Sequence, residues 1–181
     1  MRPHNRFTPV EPFPTLTAAP TGKAPLGKRV VAVVLDSLIA AAIAAILGLL
    51  GTRMGGIGAL LGAGYMLVRD GLTLDFANRR SVGKQLMGLD VVRTDGRPMD
   101  IETSIRRNWP LVIGSVLSGL GGLVGGSLGA IFGGLVGGTI GLVIGLIEAV
   151  LVFTDARGRR LGDRTGGTEV IEAAGATGTR F

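Results

Sequence analysis

The sequence predicts an all-α membrane protein, a bundle of four transmembrane helices with both termini in the cytoplasm. Three observations predict it. Long apolar stretches carry almost no charge, their lengths fit one or two bilayer crossings, and the basic residues gather in the segments between them. From Val30 to Leu50 there is one charge, Asp36, and from Leu111 to Phe153 there is one, Glu148. Runs of ~18 or more apolar residues with so little charge read as transmembrane helices. A soluble core helix of that length would show a polar face.

The elements follow in order. Residues 1–27 hold six of the eight prolines and no apolar periodicity, as in a disordered tail. The single histidine, His4, lies there and reads as a solvated residue. The first span covers about 28–50, with Lys28 and Arg29 at its cytoplasmic end, where long cationic side chains snorkel. The second covers about 54–74. Its strictly apolar part, 55–68, would extend only about 21 Å, short of the ~30 Å hydrocarbon core. The helix is therefore expected to continue past Arg69-Asp70 toward Leu74.

Residues 75–109 form a basic cytoplasmic loop. Ser81 caps a short helix through Leu86, Leu89–Arg93 is β-prone and precedes an Asp95-Gly96 turn, and Asp100 caps a helix that carries Arg106 and Arg107 to the membrane. Trp109 falls where an interfacial aromatic belongs. Residues 111–153 would make a helix of about 65 Å, twice a bilayer. They divide into spans of about 110–129 and 133–153, with a turn near Gly129–Gly133. Thr168–Ile171 reads as a short strand, and 173–181 as a flexible tail. Of nineteen Lys and Arg, all but Arg53 then fall on one side. That asymmetry is the positive-inside signature, and a three-span topology would spoil it. The expected location is the cytoplasmic membrane, as a multi-pass protein.

Two features carry functional content. Gly121, Gly125, Gly129, Gly133, Gly137, Gly141 and Gly145 recur every four residues. Small residues at that spacing let helices approach closely in lipid, within one chain or in a homo-oligomer. Asp36 lies two helical turns after Arg29, on the same face and about 10 Å inside the span. Glu148 lies at similar depth in the last span. Such acids face a bundle interior or water, and either bind an ion or proton or pair with Arg29, Arg69, Arg106 or Arg107.

Other chemistries are excluded or unsupported. The chain has no cysteine, so disulfide, thiolate and Cys-based metal chemistry are excluded. Ser81-Val82-Gly83-Lys84 lacks the glycine spacing and following hydroxyl of a phosphate loop. No Ser/His/Asp set presents itself. The net charge of +6 has no aromatic platform beside it, so lipid rather than nucleic acid is the expected partner. No cofactor and no enzyme activity are expected.

The chain resembles the RDD family of bacterial membrane proteins. The resemblance rests on Arg29-Val-Val-Ala-Val-Val-Leu-Asp36, on Arg69-Asp70-Gly-Leu and on Ser81-Val-Gly-Lys-Gln-Leu-Met-Gly-Leu-Asp-Val-Val92. Asp95-Gly96, Arg107-Asn108 and Gly158-Arg-Arg-Leu-Gly-Asp163-Arg-Thr-Gly-Gly-Thr168-Glu-Val170 complete it. Their order spans residues 28–172. The resemblance implies that Arg29, Asp36 and Asp163 are the name-giving residues. It implies a charge network that includes Arg69, Asp70 and Arg107, and, for some members, sodium/proton exchange. Thr165-Gly166 departs from the apolar residue and alanine usual there. The functional expectation is a small oligomeric transporter exchanging monovalent cations and protons at Asp36 and Glu148. The alternative is a non-transporting scaffold whose basic surfaces bind anionic lipid or a partner protein.

Overall fold

A computed structural model describes residues 24–73 and 79–173. The Pro-rich segment 1–23 with His4, residues 74–78 and the tail 174–181 lie outside the described residues. The chain is mostly helical, and two of its helices are long and apolar enough to cross a membrane.

Helix α1 (Leu26–Gly48) starts just after Pro25, whose fixed φ suits a helix entry. Helix α2 (Thr52–Val68) folds back along it after a turn at Gly51, where φ is 120°. The two pack through missing side chains. A Cβ on Gly58 would stand 2.7 Å from Ala44 Cα, and one on Gly62 2.8 Å from the Ala40 carbonyl oxygen. Helix α3 (Val82–Leu86) is capped by Ser81, whose Oγ accepts the Lys84 N–H at 3.3 Å. Strand β1 (Leu89–Arg93) follows. Helix α4 (Ile101–Thr154) is capped by Asp100, which accepts the Thr103 N–H at 2.7 Å. Helix α5 (Leu161–Thr165) and strand β2 (Thr168–Glu172) complete the chain.

Helix α4 reverses direction at Gly126, where φ is 57° and ψ −137°. Only glycine occupies that region without strain. Its first half packs on α2, where a Cβ on Gly56 would lie 2.7 Å from the Gly119 oxygen. Its second half returns along the first, with Gly121 against Gly129 and Gly133, and Gly114 against Gly137. Between α1, α2 and both halves of α4 lies a cleft of about 350 Å³, lined by Ala40, Ala44, Gly62, Ser118 and Gly137 among others. Helix α1 and the returning half of α4 do not pack along one another. The short elements gather at the end of the bundle where α1 begins and α4 ends. There β1 and β2 pair antiparallel, with Val91 opposite Val170, and cover Ala32 of α1 in a small core with Leu89 and Met99.

Several expectations need correction. The all-α class gains a two-stranded sheet: both β-prone segments are strands, and they pair with each other. The helix expected as the second span stops at Val68 instead of continuing to Leu74, because Arg69 and Asp70 are buried and Gly71 lies against the backbone of Asp100 and Ile101. The reversal expected near Gly129–Gly133 falls at Gly126, since Gly129 and Gly133 are occupied in backbone contact with Gly121. The Asp100-capped helix forms as expected, and it runs on without a break through Pro110 into the apolar run. Proline cannot donate to the carbonyl four residues back. That carbonyl, on Arg106, instead accepts the Thr165 hydroxyl at 2.9 Å, so the departure at Thr165 has a structural use.

Of the seven periodic glycines, Gly121, Gly129, Gly133 and Gly137 lie where a Cβ would press on facing backbone, and the Gly141 backbone lies 3.0 Å from where a Cβ on Gly114 would stand. A Cβ on Gly125 or Gly145 would meet nothing within 4 Å among the described residues, so no close approach there requires a glycine. Gly126→Ala is expected to destabilise the fold by about 1–3 kcal/mol through backbone strain alone. Thermal unfolding of the detergent-solubilised protein checks this, and an unchanged midpoint would show that the turn tolerates a side chain.

Candidate functional site

Four buried acids and five buried cations meet at the end of the bundle that holds the short elements. Asp36, from α1, is fully buried and lies 2.7 Å from Arg69 Nη1. It also accepts the Gly83 N–H at 2.9 Å and the Tyr65 hydroxyl at 3.2 Å. Gly83 can approach because it has no Cβ; one would strike the Ala32 carbonyl. Asp36 thus holds the amino end of α3 against α1.

Asp70 follows α2 and sits equally deep. It accepts from Lys84 Nζ at 2.6 Å and Asn108 Nδ2 at 3.1 Å, and Arg107 Nη1 lies at 3.4 Å. Ser104 Oγ accepts the Asp70 N–H at 3.2 Å and donates to the Leu67 carbonyl at 2.6 Å. Burial pushes the Lys84 ammonium down to about 7; the attraction of Asp70 offsets part of that fall, and repulsion from Arg69 and Arg107 adds to it.

Asp163, near the start of α5, ties that helix to α1 and α4. It accepts from Arg107 Nη2 at 2.6 Å, from Arg29 Nη2 at 3.1 Å and from the Arg160 N–H at 3.2 Å. Burial alone would raise its pKa, but Arg107, Arg160 and Arg29 outweigh that and hold it below the usual carboxylate range. Arg29 also donates to the Gly158 carbonyl, and Arg160 Nη2 donates to Asn108 Oδ1 at 3.0 Å. Glu148 accepts the Gly162 N–H through Oε1 at 3.2 Å, while Oε2, also buried, has no hydrogen-bond partner among the described residues.

The structure therefore joins Arg29 with Asp163, Asp36 with Arg69, and Asp70 with Arg107. It does not bring Asp36 and Glu148 together: each holds a different short helix, and only Glu148 lines the crevice at this end of the bundle. Lys84, Asn108 and Arg160 are members that sequence reasoning missed. All three lie in the blocks that carry the family resemblance, but nothing local to Lys84 or Arg160 separates a buried cation from one that orients a membrane protein. Among the described residues no group of three or more acids and histidines has the arrangement of a metal site.

Chemically, the arrangement fixes nearly every acid as an acceptor from two or more donors. Its nine charges come from α1, the α2–α3 segment, α3, α4 and the α5 region, so it locks all of them at once. A model of the RDD family matches residues 23–167, a range that contains every member of the network. No curated protein and no solved structure matches the chain.

Proposed function

This chain belongs to the RDD family and is a membrane protein, and on that premise we propose that it works as a non-transporting interaction protein of the cytoplasmic membrane. In this reading α1, α2 and the two halves of α4 are four spans with cytoplasmic termini. The basic short elements at their end face the cytoplasm and engage an anionic membrane surface or a partner protein. The observation that carries it is what the intramembrane acids do. Asp36 is sealed from solvent and clamps α3, while Glu148 holds α5, so both are used in fastening the short elements to the spans.

A second reading has one specific observation in its favour. Glu148 lines the crevice and keeps one carboxylate oxygen without a hydrogen-bond partner, as a proton- or cation-binding group would. The protein would then exchange monovalent cations for protons. Proton flux driven by sodium or lithium in everted vesicles separates the two. The interaction reading expects the same flux with and without the protein. A protein-dependent flux that Glu148→Gln abolishes would replace it with the exchanger.

A further inference from the structure

The buried cluster is not neutral. Its five cations face four acids, which leaves one positive charge without a counterpart. Donors are in surplus as well: the buried Arg69 Nε and Nη2 and Arg107 Nε have no acceptor among the described residues. A buried charge without a counterion is costly, and a group so placed sheds its charge where its chemistry allows. Four of the five cations are arginines, which stay protonated at any ordinary pH. Protonating one of the acids would widen the imbalance. Lys84 is the member whose ionisation can remove it.

The surroundings of Lys84 fit an amine better than an ammonium. Its Nζ has two acceptors, Asp70 Oδ1 at 2.6 Å and Ser81 Oγ at 3.3 Å. A neutral amine has two N–H groups to give them. An ammonium has three, and the third finds no acceptor among the described residues. Charged groups face this position from each element around it. Asp70 and Arg69 come from the end of α2 and Arg107 from α4. Asp36 of α1 holds the adjoining Gly83 N–H, and Arg29, Glu148 and Arg160 border the same crevice. Burial is the largest influence and opposes the ammonium, Asp70 favours it, and Arg69 and Arg107 repel it, which together bring its pKa to about 7. Asp70 does not depend on the lysine charge alone: Asn108 Nδ2 at 3.1 Å and Arg107 Nη1 at 3.4 Å also serve it.

We propose that Lys84 is a proton-binding site: within the assembled cluster its side chain stands as a neutral amine, and it takes up one proton when the medium turns acid, restoring the unpaired charge. Such a site requires neither the interaction reading nor the exchanger. Folding releases this proton. The unfolded chain keeps it up to about 10.4 and the folded chain only to about 7, so stability rises with pH across that interval.

The full chain has three lysines, Lys23, Lys28 and Lys84, so each can be titrated directly. Protein labelled with 15N at lysine Nζ and 13C at Cε, in mild detergent, is followed by NMR from about pH 5 to 11. Lys23→Arg and Lys28→Arg each remove one of the other two signals and keep its charge. The Lys84 signal is expected to titrate at least about two pH units below the ordinary lysine value. A midpoint in the ordinary lysine range overturns the proposal. Thermal midpoints read the same site independently. Lys84→Met removes the surplus charge and keeps an unbranched stem. At about pH 6 its midpoint is expected to equal or exceed that of the unaltered chain, and the rise that the unaltered chain shows between about pH 6 and 9 is expected to be lost. A static Lys84–Asp70 pair would instead cost the variant about 6–20 °C throughout that range, and a loss of that size also overturns the proposal.

Discussion

Asp163→Asn is expected to lower the thermal midpoint of the detergent-solubilised protein by about 6–20 °C. Asparagine keeps the shape but not the charge. Arg29, Arg107 and Arg160 would then surround a neutral amide, with Arg107 and Arg160 themselves at 0% and 7% exposure. Removing one partner of a buried ion pair costs about 3–5 kcal/mol, because the remaining charge is left in low dielectric. For a chain of this size each kcal/mol moves the midpoint by about 2–4 °C. Glu102→Gln is the control: its pair with Arg106 is 72% and 66% exposed and is worth ~0–1 kcal/mol. A shift for Asp163→Asn no larger than the control's would show that the network is not held by its acids. The pH dependence has a definite sign. Asp163 has a folded pKa below its unfolded one, so its stabilisation is complete above the ordinary aspartate range and is lost as pH falls through the depressed value.

Gly162→Ala and Gly134→Ala are expected to move stability in opposite directions. A Cβ on Gly162 would collide with the carbonyl oxygen of Arg107, a backbone atom that cannot rotate away. Helix α5 would have to lift, loosening the Gly162 bond to Glu148 and the ion pairs of Asp163 beside it. Overpacking of this kind costs about 1–3 kcal/mol, and the loosened ion pairs add to that. At Gly134 the new methyl meets open space, so alanine should stabilise the helix by up to ~1 kcal/mol through lower backbone entropy in the unfolded chain. Thermal midpoints of the two variants check both signs. Destabilisation by Gly134→Ala would mean that a neighbouring molecule occupies that face.

What was legible in the sequence follows physical range. Hydropathy is a local property, so the apolar blocks around Asp36 and Glu148 showed themselves directly. Local caps were equally plain at Ser81 and Asp100. The turn at Gly126 was not, because the four-residue glycine repeat offers many positions that tolerate a positive φ, and only the contacts of Gly121 decide among them. The strands were visible as β-prone runs, but their pairing joins Val91 to Val170 across the whole of α4. The network was half visible. Acids inside apolar runs stand out by their cost. Lys84 and Arg160 resemble ordinary cytoplasmic cations until the fold buries them.

The Arg29–Asp163 bond joins positions 134 residues apart, and that separation sets an order of assembly. The first helix is made carrying an arginine and an aspartate whose partners do not yet exist. At ~5–20 residues per second of synthesis, Arg29 waits roughly 7–27 s for Asp163 to be made. During that interval the newborn helix must keep its charges near water or against other helpers. The later-made α5 turn therefore completes the charge pairing of the earlier-made α1, and a chain interrupted between the two leaves Arg29 without its Asp163 partner.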